Sequence, residues 1–327
     1  MKRRRKLDVI ISVVAIVVGG ILMSWGIAHK GMRSVVWDSA DHKLVVSQTV
    51  SRTSRPAAYQ KIVVDTKLPV TVRRSNVSRV TVQQQNFNQK RQPVTTTVRD
   101  HTLTIRGGDS RQHNVTFDGP SITREDEAFD TSGRIIVEVP QRTSVQQVTL
   151  QKSWTVRLED LTLKRITGPT GGSFQAKNVT VKQALDLRQG DADVYLTNVT
   201  APRLQLHTDD GDVDIKQSRF TSRDNLIASD EGDVTLATTQ LGGGRVTTGD
   251  GDVHIRSNDL AHHLTVTSSE GDLSGLVAAD AGVTANGTSD NEITLFGRSR
   301  KSGTQIRPHA KVQYTFSVGD DGDITVR

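Results

Sequence analysis

One short phrase returns through the second half of the chain. It reads DDGDVDI from Asp209, DEGDVTL from Asp230, GDGDVHI from Gly249 and SEGDLSG from Ser269. Aligned on the glycine, the steps fall at Gly172, Ala192, Gly211, Gly232, Gly251, Gly271 and Asn291, at intervals of 20, 19, 21, 19, 20 and 20 residues. A last copy, DGDITVR, places Gly322 after an interval of 31. So constant a period marks a stack of like units, each too small to bury a core alone.

A single copy shows how the stack is built. In PRLQLHTDDGDVDIKQSRF, Leu204 and Leu206 alternate with Gln205 and His207, the pattern of a half-buried strand. DDG then turns the chain, with Gly211 available for positive φ. Val213 and Ile215 alternate with Asp214 and Lys216 in a second strand, and QSRF turns again. Val234 with Leu236, Val253 with Ile255, and Leu264 with Val266 repeat the pattern. A period of two, rich in β-branched residues and cut by Gly-Asp, excludes helices. A sandwich of hairpins would also space its strands evenly, but not by repeating one phrase. The expected fold class is therefore all-β, a single parallel β-solenoid with coils stacked at about 4.8 Å. Gly211, Gly232, Gly251 and Gly271 are its structural turn residues.

Upstream, KIVVDTKLPVTVRRS, TTTVRDHTLTIRGG and GRIIVEVPQRTSVQQVTL alternate less regularly. The solenoid is expected over 59–327, with irregular opening coils at 59–150 and regular repeats at 151–327. Arg106–Asp130 lacks alternation and reads as an excursion from the stack. Phe316, Val318, Ile324 and Val326 are expected to close the far end.

The first thirty residues carry a different signal. Leu7 to Ala28 is apolar apart from Asp8, Ser12 and Ser24, and Lys2, Arg3, Arg4, Arg5 and Lys6 precede it. At 1.5 Å per residue such a run spans a hydrocarbon core of about 30 Å. It is longer than the core of a cleaved signal peptide. The positive cluster keeps the N-terminus in the cytoplasm. The expected organisation is a basic cytoplasmic tail at 1–6, a single transmembrane helix at 7–28, a stalk or linker at 29–58 holding short strands in SVVWDS and KLVVSQTV, and an extracellular ectodomain.

The chain lacks cysteine, which excludes disulfides, thiolate metal sites and a cysteine nucleophile. Charge is uneven. Residues 1–187 hold 29 Lys/Arg and 15 Asp/Glu, whereas residues 188–327 hold 13 and 21. Partners expected from this are the membrane, an envelope protein or an anionic wall polymer. Nucleic acid is not expected, because the basic residues are dispersed.

The repeated acids are the candidates for chemistry. Stacking would align Asp212, Asp233, Asp252 and Asp272 in one ladder and Asp210, Glu231, Asp250 and Glu270 in a second. Neighbouring carboxylates at about 5 Å repel by roughly 0.8 kcal/mol in water, so something must offset them. Each Asp could accept backbone N–H bonds within its own turn. Calcium is the alternative, with the first ladder as weak candidate ligands, although the GGxGxDxUx calcium phrase is absent. No cofactor is expected. Paired acids could also serve a polysaccharide-active enzyme, but no unique cluster and no HExxH, GxSxG or P-loop motif is present. Catalytic residues are therefore not expected. His262 and His263, on opposite strand faces, would not share a metal. The sequons at Asn76, Asn114, Asn178, Asn198 and Asn286 read as products of Asn/Thr-rich turns and strands.

An N-terminal anchor, then KIVVDTKLPVTVRRS, a strand ending in proline in IIVEVPQRTSVQQVTLQKS, and glycine–aspartate steps resemble the bacterial putative-adhesin family of unknown function, LiaG-like envelope proteins included. The resemblance spans about residues 59–327. It implies a membrane-anchored β-solenoid at the cell surface, often tied to envelope stress, with no established catalysis. The chain departs from it at Trp154, where a glycine step would stand.

Overall fold

The computed structural model describes residues 35–38, 43–46, 49–85, 93–108, 114–118, 121–125, 133–141, 145–151, 153–256 and 258–327. The expected membrane span and basic tail lie outside the described residues. Among those described, no helix is long and apolar enough to cross a membrane. The described chain is all-β. One continuous sheet of 29 strands wraps, nearly closed, around a single apolar core.

Each repeat supplies one rung with three short faces. The first face carries the strand that follows each Gly-Asp step. Val194 pairs in parallel with Val213, Val213 with Val234, Val234 with Val253, and Val253 with Leu273. The second face is brief, stacking Arg219–Phe220, Gln240–Leu241 and Asp259–Leu260. The third holds Arg203–Thr208, Asn225–Ser229, Gly244–Thr248 and His263–Ser268, again parallel. Alternation sends Val213, Ile215, Phe220, Leu204 and Leu206 of one rung inward, where all are buried. Burying each such side chain stabilises the fold by about 1.5–3 kcal/mol, and every rung needs its neighbours to do so.

The far end departs from the expected order. Phe316, Val318, Ile324 and Val326 do not form the last rung. Their strand Gln313–Val318 lies between His263–Ser268 and Gly282–Asn286. Ile324–Val326 likewise lies between Leu273–Leu276 and Ile293–Leu295. The 31-residue interval before Gly322 is long enough to complete the outermost rung, turn back over it and return one rung inside. Gly275 makes this insertion fit. A Cβ there would lie 2.8 Å from the Phe316 ring. Antiparallel strands Arg298–Arg300 and Thr304–Ile306 then cap the outer rung.

The near end repeats the device. Lys61–Thr66 lies between Thr102–Gly107 and Gln147–Leu150, and Val70–Ser75 between Gly133–Pro140 and Val156–Glu159. Antiparallel strands Arg79–Gln85, Thr49–Ser54 and Thr95–Arg99 cover this edge. Capping both ends removes the open parallel edges that would template aggregation. The stalk expectation is corrected accordingly, since Thr49–Ser54 belongs to the large sheet. Val35–Asp38 and Lys43–Val46 form a separate antiparallel sheet with Asn114–Asp118 and Ser121–Glu125. The excursion is thus partly a hairpin, with too few alternating residues per strand for the sequence to show it.

One buried charge ties the near end together. Glu138 sits between Arg73 and Arg79 of the two flanking strands and accepts hydrogen bonds from both. The Arg79 bond, aided by Arg73 and opposed by burial, holds its carboxyl below the usual carboxylate range. A depressed folded-state pKa adds stability above the unfolded value, about 4.3 for Glu, and loses it as pH falls through the folded value. Glu138→Gln is expected to cost about 1–2 kcal/mol near neutral pH. In urea unfolding the difference should shrink to nothing in strong acid; a pH-independent difference would refute the ion-pair account.

The inserted C-terminus has its own consequence. Removing residues 313–327 bares strand edges on two rungs rather than one. The truncated chain is expected to lose its single cooperative unfolding transition, seen by circular dichroism in urea. Loss of one rung's worth of stability with cooperativity intact would show that the outer rung stands without the insertion.

Candidate functional site

The recurring phrase is a corner with three parts. The first is a hydroxyl three residues before the glycine. Thr208 Oγ1 and Ser229 Oγ accept the N–H groups of Gly211 and Gly232 at 3.0 Å, and Ser268 Oγ accepts that of Gly271 at 2.9 Å. Thr248 donates to the Gly251 carbonyl at 2.7 Å instead. All four hydroxyl residues are buried. A Ser or Thr stands at that offset before Gly211, Gly232, Gly251, Gly271 and Asn291, whereas Pro169, Gln189 and Gly319 hold it at the other steps, and pattern reading overlooked it.

The second part is the glycine, and the expected reason for it is corrected. None of Gly211, Gly232, Gly251 and Gly271 has positive φ. What excludes a side chain is the neighbouring rung. A Cβ at Gly211 would lie 2.1 Å from the Ala192 carbonyl oxygen. At Gly232 it would lie 2.3 Å from that of Gly211, and at Gly251 and Gly271 2.2 Å from the preceding step. Trp154 takes the same column at the first regular rung, with its carbonyl oxygen facing Gly172, and its ring is exposed.

The third part is the aspartate. Asp212 Oδ1 accepts the Asp233 N–H at 3.0 Å. Asp233 and Asp252 do the same for Asp252 and Asp272 at 2.8 Å. The chain of bonds begins at Asp193, passes from Asp272 to Asp323 at 2.8 Å and ends on the Glu292 N–H at 2.7 Å. Each carboxylate therefore serves the next rung rather than its own turn, as the expectation had it. The backbone donors offset the repulsion along the ladder. Asp210, Glu231, Asp250 and Glu270 lie exposed at the corner tips.

The second turn of each rung, read at QSRF, is a corner with a left-handed residue. Asp160, Asn178, Asn198, Gln217 and Thr238 all adopt φ of 51 to 55°, the left-handed conformation that Asn and Asp tolerate best. Asn178 and Asn198 each donate Nδ2–H to the residue one rung back at 2.8 Å. These two sequon asparagines thus have a corner to hold.

One stretch of the third face gathers charged and polar side chains in register. On the third face Arg165, Ala184 and Arg203 stand in register on adjacent strands, followed by Asp186 and Gln205, then Arg188 and His207. These residues, with Leu226, line a groove of about 450 Å³. Its far end meets a corner, where His207 Nε2 lies 3.4 Å from Asp209 Oδ1. His207, Asp209 and Asp230 bring ligand atoms within 4.8 Å of one another, the one such trio among the described residues. The weak calcium candidates Asp212, Asp233, Asp252 and Asp272 are not part of it. His263 Nε2 lies 3.0 Å from Thr315 Oγ1.

These features define a class: an all-β repeat protein whose recurring polar residues are architectural. Residues 59–327 match the Toastrack DUF4097 family, and the chain belongs to it. Among solved structures it is similar to a putative adhesin from Parabacteroides distasonis ATCC 8503, with 14% identity over 86% of this chain and 97% of that one and a TM-score of 0.40. A putative adhesin from Parabacteroides merdae ATCC 43184 is similar at 10% identity, 86% and 96% coverage and a TM-score of 0.40. A putative lipid binding protein from Parabacteroides distasonis ATCC 8503 follows at 12%, 85% and 96%, with a TM-score of 0.34. No curated protein matches the chain.

The glycine account has a direct check. Gly232→Ala should destabilise the protein by about 1–3 kcal/mol, as overpacking does, in urea unfolding of the full chain. An unchanged midpoint would mean that the rungs can part at the corner.

Proposed function

We propose that the chain is a non-catalytic cell-surface protein acting in adhesion, scaffolding or envelope-stress sensing. In this reading the stacked rungs are a β-solenoid ectodomain, held outside the cell by a single membrane span at 7–28 with its N-terminus in the cytoplasm. One observation carries it. One of the two ladders of recurrent acids, from Asp193 to Asp323, spends an oxygen of each carboxylate on a backbone N–H of the next rung, ending at Glu292. A ladder used this way is a building device. In this reading the ladder works without calcium or another cofactor and takes no part in catalysis.

The partners fitting this reading are an envelope protein or an anionic wall polymer, with the membrane at the N-terminal side and no nucleic acid. The test is crosslinking of the anchored full chain in intact cells, with mass spectrometry and glycan analysis of what is captured. A discrete envelope protein or a wall polymer, enriched over an anchor-only control, is the expected result. No enrichment, or release of sugar fragments from wall polysaccharide by the purified chain, would overturn it.

A further inference from the structure

The groove on the third face gathers three arginines in register around one carboxylate. Among the described residues the side chains of Arg165, Arg188 and Arg203 form no hydrogen bond or ion pair, although acids stand on the neighbouring rungs. The spacing is set by the sheet. Ala184 pairs with both Arg165 and Arg203, so the two arginines stand two strand spacings apart, roughly 9–10 Å, across a side chain that ends at Cβ. That gap admits a sugar ring or a phosphate between two guanidiniums, which bind both phosphate and carboxylate through paired N–H groups.

The floor asks for more than a bare anion. Asp186 follows Ala184 on the same outward row, beside Gln205. A carboxylate among arginines that it does not bond repels a simple polyanion but accepts hydrogen bonds from hydroxyls. Leu226, paired with Gln205, adds an apolar patch for a ring face. A volume of about 450 Å³ suits a small-molecule unit. No aromatic side chain lines the groove for nucleobases to stack on.

We infer that this groove binds an anionic, hydroxyl-bearing polymer of the envelope, with Arg165, Arg188 and Arg203 on its acidic groups and Asp186 and Gln205 on its hydroxyls. The inference rests on the surface-protein reading only for where the polymer comes from.

The test measures binding of poly(glycerol phosphate), polygalacturonate and neutral dextran to the purified full chain in detergent, and of phosphatidylglycerol vesicles to the chain in bilayer discs. The expected result is binding of one acidic polymer, no binding of dextran and weakening with salt. Preference between the two acidic polymers tells phosphate from carboxylate recognition. The pair Arg165→Gln/Arg203→Gln should weaken binding at least about tenfold, with an unchanged melting temperature, while Arg256→Gln/Arg298→Gln, away from the groove, should not. Asp186→Asn should weaken binding of the hydroxyl-bearing polymer but not of linear polyphosphate. Equal binding by the arginine pair variant overturns the groove and leaves the surface reading standing. Binding of the vesicles alone, lost in the same variant, overturns the polymer in favour of a lipid surface. If the groove binds polymer but crosslinking in cells enriches nothing, the surface reading fails and the groove stands.

Discussion

Everything in this fold depends on two backbones meeting at a corner. Rungs stacked at sheet spacing bring each Gly-Asp step onto the carbonyl of the step before, closer than a Cβ allows. The glycine lets the approach happen, a buried hydroxyl satisfies the glycine, and the aspartate reaches forward to the next rung. A buried corner whose N–H groups were unpaired would cost more than any inward valine returns. The phrase repeats as a unit from Gly211 to Gly271, although Asp193 bonds forward from a step that carries Ala192 and Gln189 instead.

The ends solve a different problem. A parallel stack offers a bare edge at each terminus, and this chain closes both with antiparallel strands. At both ends a strand pair is threaded one rung inside, so the strands nearest the C-terminus are paired on both sides. The buried Glu138, shared by Arg73 and Arg79, adds a charged tie at the near end.

Polar chemistry is divided along the same lines. The aspartates that follow the glycine in the regular rungs are held by backbone donors and belong to the architecture, whereas Asp210, Glu231, Asp250 and Glu270 stay exposed at the corner tips. The arginines of the third face have no such engagement and are free for a ligand, which is why the groove rather than the conspicuous acidic ladder is the promising surface.

The sequence by itself determined that the described chain is all-β and which side chains face inward, because alternation and a 19–21-residue interval place Val213, Val234 and Val253 in one column. It also marked the corners. It did not disclose why they need glycine, since positive φ and close approach select the same residue. The second corner was legible as a turn at QSRF but not as one column with Asn178 and Asn198, because Gln217 and Thr238 break the residue pattern while keeping the backbone conformation. The order of rungs at the ends was decided by tertiary structure alone, since Gly322 follows the same phrase wherever its rung is inserted. So was the groove. Arg165, Asp186 and Arg203 lie far apart in the chain, and only parallel register across three rungs sets them side by side.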